Sequence, residues 1–98
     1  MSDTATVAGT VEAAIRDRLA ADLAPTSLAV VNESALHAGH SGDDGSGATH
    51  FRVEIEARAF AGLSRVARQR LVNRALAELL AGPVHALAIR ARAPGEPA

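Results

Sequence analysis

A chain of 98 residues with 48% hydrophobic side chains, ten arginines, no lysine and a net charge of −1 is one small domain, too apolar for a disordered polar chain and too short for two cores. With no Trp or Tyr, two Phe and no Cys, its core must come from Ala, Leu, Val and Ile. Disulfides are excluded, and any Fe–S or zinc–thiolate chemistry would have to borrow sulfur from a partner.

In chain order, residues 1–9 are small and polar and are expected to be a frayed, flexible tail. Thr10 is placed to cap a helix running to Leu23, with Val11, Ile15, Leu19 and Leu23 forming one apolar stripe. Glu12–Arg16 and Arg18–Asp22 are spaced as i,i+4 ion pairs on its outer side, and Ala24-Pro25-Thr26 ends it. Ser27 to Glu33 reads as a short strand. A loop rich in Gly and Asp follows, from Ser34 to Ala48, holding His37 and His40. Loops of this length are usually functional or disordered. Thr49 to Ala57 alternates, with Phe51, Val53, Ile55 and Ala57 on one face and His50, Arg52, Glu54 and Glu56 on the other, the pattern of a half-buried strand.

After a turn at Phe60-Ala61-Gly62, Ser64 is expected to cap one helix through Leu80. Its buried stripe would be Leu63, Val66/Ala67, Leu71, Ala75/Leu76 and Leu79/Leu80, with Arg65, Arg68, Gln69 and Asn73 largely outside. Gly82-Pro83 stops it, and Val84 to Arg92 reads as the last strand. Residues 93–98 are expected to be a second flexible tail, leaving 10–92 as the folded domain. No stretch approaches the ~20 apolar residues of a membrane span. Met1-Ser2-Asp3-Thr4 lacks a basic-then-apolar signal pattern, so the expected location is cytoplasmic, without membrane attachment.

The order α-β-β-α-β implies an α/β fold. The first two strands pair antiparallel, the second and third pair parallel through a right-handed helical crossover, and the helices cover one face of a three-stranded mixed sheet. Parallel neighbours start at the same end of a sheet. His50 at the start of the second strand, His85 at the start of the third and the loop carrying His37 and His40 should therefore gather at one end. Strict alternation places His85 on the side of Leu87 and Ile89, but its position ahead of the regular strand leaves room for it to turn outward.

Other features carry less. Residues 51–98 hold eight arginines against four acids, and residues 1–50 two against seven. Arg65, Arg68, Arg70 and Arg74 on the second helix are candidates for gripping DNA phosphates or an acidic partner surface, against a plain solvated face. There is no aromatic interleaving, and the pI of about 6.4 is not that of a basic nucleic-acid binder. Gly39-His40-Ser41-Gly42 and Gly42-Asp43-Asp44-Gly45 fit a GxxG clamp, but they lie between strands, and Asp43 and Asp44 would repel phosphate. Ser34, Ser41 and Ser46 lack a nucleophile elbow or any supporting catalytic context, so an enzyme is not expected.

Four segments together, at plausible spacing, resemble the BolA family: Asn32-Glu33-Ser34-Ala35-Leu36-His37; Thr49-His50-Phe51-Arg52-Val53; Phe60-Ala61-Gly62-Leu63 with Arg68-Gln69-Arg70-Leu71-Val72; and Gly82-Pro83-Val84-His85-Ala86-Leu87-Ala88. The resemblance covers about residues 10–92. It implies a class II KH-like fold and a non-enzymatic adaptor, monomeric alone and heterodimeric with a monothiol CGFS glutaredoxin, in iron–sulfur assembly, trafficking or iron regulation. It also implies a 2Fe–2S cluster bridged between the two proteins, with thiolates from the glutaredoxin cysteine and glutathione. On this side the ligands would be His85 and a loop residue that falls on His37, with His40 as the alternative and His50 in a supporting role. BolA-like proteins also include proposed transcription regulators, which keeps DNA as an alternative partner. Many family members carry a histidine where this chain has Gln69, so no role is carried over there.

Overall fold

In a computed structural model, residues 4–34 and 49–97 are described, with side chains from residue 9 onward. The elements are α1 (Thr4–Leu23), β1 (Ser27–Asn32), β2 (His50–Glu56), a 3-10 turn (Arg58–Phe60), α2 (Arg65–Ala75), α3 (Ala77–Leu80) and β3 (Ala86–Arg92). The sheet runs β1-β2-β3, with β1 antiparallel and β3 parallel to β2. The expected α/β class and strand pairing are observed.

One-sided burial sets the register. Phe51, Val53, Ile55 and Ala57 are buried, and a slip of one residue would send all four to the opposite face. From α1, the stripe Val11, Ile15, Leu19 and Leu23 packs into the same core. The helix starts at Thr4, ahead of the expected Thr10. Ala5, Thr6, Val7 and Ala8 contain no helix breaker, and the single interior Gly9 costs only ~1 kcal/mol. Glu12 and Arg16 pair as expected (3.5 Å). Arg18 instead reaches Glu78 on α3, 2.8 Å away, tying the first helix to the last. Ala24, at φ +45°, ends α1 in the left-handed conformation. Its N–H bonds Ala20 O (3.2 Å), and Pro25 prevents continuation.

Ser64 caps α2 as expected, its hydroxyl accepting from Ala67 N–H (3.1 Å). The single helix expected to Leu80 is instead two. At Leu76 the backbone leaves helical geometry (φ −104°, ψ 15°), although its N–H still bonds Val72 O (3.1 Å) and its side chain is buried. The expected stripe holds from Leu71 onward, with Leu71, Leu79 and Leu80 packed against the core, but fails at the start of α2. Val72, Ala75 and Leu76 are inside, whereas Val66 is 55% exposed and Leu63 37%. The reason is Arg68, whose guanidinium binds across to the C-terminal segment and takes the inward position at the start of α2. Among the described residues, no helix is long and apolar enough to cross a membrane.

Candidate functional site

The start of the parallel pair brings β2 and β3 together as the topology requires. His50 stands opposite Ala86. Just before the strands, the N–H groups of His85 (2.8 Å) and Ala86 (3.1 Å) both donate to Thr49 O. His85 is therefore fixed by its backbone immediately beside the Thr49–His50 pair. Its side chain is exposed and not buried with the core. The Gly82-Pro83 segment places it there. Gly82 N–H and Val84 N–H both bond Leu79 O, and Val84, 2% exposed, plugs the core directly ahead of the histidine.

His50 is the opposite case. It is 9% exposed, and its Nδ1 lies 2.7 Å from the Thr49 hydroxyl. It is thus held as part of the sheet end and is less accessible than His85.

Sequence reasoning missed the group that organises this end, Ser34. Its buried hydroxyl accepts from Thr49 N–H (3.0 Å) and His50 N–H (3.1 Å) and lies 3.4 Å from His50 O as donor. Asn32 Oδ1 accepts from Ser34 N–H (2.9 Å), and Glu33 N–H donates to His50 O (2.8 Å). Ser34 and Thr49 bound the segment 35–48, so the clamp joins the two ends of the chain that carries His37 and His40. Those two histidines lie outside the described residues. The signal was a hydroxyl residue on either side of a long insertion, weak without the fold. Ser34 is also no nucleophile, since its oxygen is spent on backbone groups.

Among the described residues, no three His, Cys, Asp or Glu side chains cluster to hold a metal. What this end offers is an accessible imidazole on a fixed backbone next to the pinned mouth of a histidine-bearing segment. Imidazole suits zinc, copper, iron or nickel, and a single exposed one is at most part of a site completed from elsewhere.

Of the candidate α2 arginines, Arg65, Arg70 and Arg74 are exposed. Arg68, at 12% exposure, is not. It forks onto Glu96 (2.6 and 2.8 Å) and donates to Leu63 O (3.0 Å) and Ala91 O (3.4 Å). The fork and Ala93 N–H hold the Glu96 carboxyl down at about 2. The C-terminal segment through Glu96 is thus tied to α2.

The family model described as "BolA-like protein" matches residues 19–96. The chain is 52% identical over 88 residues to human "BolA-like protein 1", spanning 90% of this chain and 61% of the relative. It thus spans about three fifths of the length of that relative. It is 44% identical over 75 residues to the "DNA-binding transcriptional regulator BolA" of Vibrio cholerae, 76% of this chain and 67% of the relative. Among solved structures it is similar to "BolA1 from Arabidopsis thaliana", with a TM-score of 0.78 and 37% identity over 89% of this chain and 95% of the other.

Proposed function

The chain belongs to the BolA-like protein family, and from that premise we propose that it is a non-enzymatic, cytoplasmic adaptor that binds a monothiol glutaredoxin and completes the ligation of a shared 2Fe–2S cluster. The observation that carries the reading is His85, an exposed side chain on a backbone locked to Thr49 O, beside the clamped ends of the segment bearing His37 and His40. A cysteine-free chain can contribute imidazole and no thiolate, so two histidines here and two thiolates from the glutaredoxin and glutathione make a four-ligand set. Mixed His and Cys ligation of this kind is chemically established for 2Fe–2S centres. His37 is the proposed second ligand, on the register of Asn32-Glu33-Ser34, with His40 as the alternative. His50 supports the site, because its bond to Thr49 stiffens the residue whose carbonyl holds His85.

When bound, such a cluster supplies one-electron and iron–sulfur transfer chemistry. This chain presents imidazole at a fixed position, and ligand identity and exposure there tune potential and lability. The test is co-purification with a CGFS glutaredoxin and glutathione, followed by visible absorption and circular dichroism. His85→Ala is expected to change the mixed-complex spectrum and shorten its lifetime, while leaving the isolated chain folded. An unchanged spectrum contradicts the assignment.

A second reading, a DNA-binding regulator, is favoured by the name of the Vibrio relative and by the exposed Arg65, Arg70 and Arg74. It is the weaker one. Arg68 is engaged with Glu96, and both phenylalanines are buried, leaving no aromatic for stacking. A gel-shift titration across salt tests it: sequence-independent binding lost as salt rises would indicate phosphate attraction alone.

A further inference from the structure

β3 is an edge strand. Its inner side is engaged with β2: Ala86 N–H meets Thr49 O, and Arg92 O accepts from Ala57 N–H. In a parallel ladder alternate residues bond one neighbour, so the N–H and C=O groups of Leu87, Ile89 and Ala91 point off the open edge. Arg68 covers that edge at Ala91 O (3.4 Å). From Leu87 to Arg90 no described strand pairs with it.

Along this edge runs a groove of about 580 Å³ between β3 and α2, whose wall includes Arg52, Arg65, Arg68, Gln69, Ile89 and Arg90. Two of its arginines are satisfied: Arg68 by Glu96 and Arg52 by Glu33 (3.3 Å) and Glu54 (3.8 Å). Arg65 and Arg90 pair with no carboxylate among the described residues. Glu54 stands opposite Arg90 in register but leans toward Arg52. Arg65 approaches the groove from the helix side. Arg90 belongs to the outer face, because it alternates with the inward Ile89.

We propose that the open edge of β3, from Leu87 to Arg90, takes an extended acidic peptide as a fourth strand, its backbone pairing with Leu87 and Ile89 and its carboxylates meeting Arg65 on one face and Arg90 on the other. Strand addition to an exposed edge is an established mode of peptide recognition, and unpaired edges otherwise need protection. Positive charge at the edge disfavours a second copy of this arginine-bearing edge and favours acidic chains. Arg68, on the groove wall, already holds one carboxylate, that of Glu96, in a fork. Nucleic acid fits less well: the edge presents alternating donors and acceptors, whereas phosphate accepts only, and the described surface has no aromatic to stack on bases. Arg90 lies five residues along the strand from His85, about 17 Å at the usual rise, so this surface is separate from the histidine end.

The test uses the full chain and a fluorescein-labelled peptide of repeated valine-glutamate-glutamate triplets, followed by anisotropy and by amide NMR. Binding is expected with shifts concentrated from Leu87 to Ala91, a loss of at least tenfold in the Arg65→Ser/Arg90→Ser double variant, and no change in His85→Ala. The glutamine counterpart and a backbone N-methylated counterpart are expected not to bind. The proposal is overturned if the charged peptide does not bind, if either counterpart binds equally, if the double variant retains affinity, or if oligothymidylate binds through these arginines and the peptide does not.

Discussion

Where β2 and β3 begin, hydroxyl and backbone groups close the sheet: Ser34 on Thr49 and His50, and Thr49 on His50, His85 and Ala86. Where β2 and β3 finish, charge does the same work. Arg92 meets Glu56 at 2.9 Å, Thr26 donates to Glu56 at 2.6 Å, and Arg68 forks onto Glu96. At the second end the charged groups satisfy one another. At the first end backbone bonds hold the chain, and the His85 side chain is exposed. The difference teaches two ways of closing a sheet end: charged side chains that meet one another at one end, and hydroxyl and backbone groups beneath a surface histidine at the other.

The comparison breaks most visibly at Ser34. Ser34→Ala removes the acceptor for two buried N–H groups, and unsatisfied buried donors cost ~1–3 kcal/mol each before relaxation. A loss of about 2–3 kcal/mol is expected by urea denaturation. A loss below ~1 kcal/mol would mean the two amides find other partners and the clamp is dispensable.

The charged end should respond to acid. Glu96 is lowered from 4.5 to about 2 by the Arg68 fork, and Glu56 is also lowered, first by the Thr26 hydrogen bond and then by Arg92. A carboxyl lowered on folding contributes stability that is fully present above its ordinary range and is lost as pH falls toward the folded value. Denaturant midpoints should therefore drop between about pH 4.5 and 2. Glu96→Gln should lower the midpoint at pH 7 and flatten that acid limb. Equal slopes in both proteins would show that the fork contributes nothing in solution.

A smaller and opposite effect is expected at Ala24, at the α1–β1 joint on the same end. Its φ of +45° suits glycine, so Ala24→Gly should stabilise by about 0.5–1 kcal/mol in thermal unfolding, after the added entropy of the unfolded chain is subtracted. Smallest of all is His85→Ala in the isolated chain. The side chain is exposed and the anchoring bond is made by its backbone, so stability should change by less than ~0.5 kcal/mol.

The sequence made some of this legible and hid the rest for identifiable reasons. The α1 stripe and the alternation from Phe51 to Ile55 were readable because one buried face imposes a period. Parallel pairing of β2 with β3 followed from the helical crossover, and with it the placing of His50 and His85 at one end of the sheet. The break at Leu76, the inward turn of Arg68 and the clamp at Ser34 were not readable. Each depends on a partner fixed only by the fold: Arg68 on Glu96, 28 residues away, and Ser34 on Thr49 and His50, 15 and 16 away. Arg90, which meets no carboxylate among the described residues, was overlooked for a similar reason, because the β2–β3 register sets it on the outer face beside the open edge.

The central claim is that the imidazole of His85 binds iron in a complex with a monothiol glutaredoxin. Pulsed EPR of the reduced complex, with only this chain labelled with ¹⁵N-histidine, tests it most directly. Strong histidine nitrogen couplings in the labelled complex, one of which disappears in His85→Ala, are the predicted result. A spectrum without directly coupled histidine nitrogen, or one identical in the variant, would contradict it.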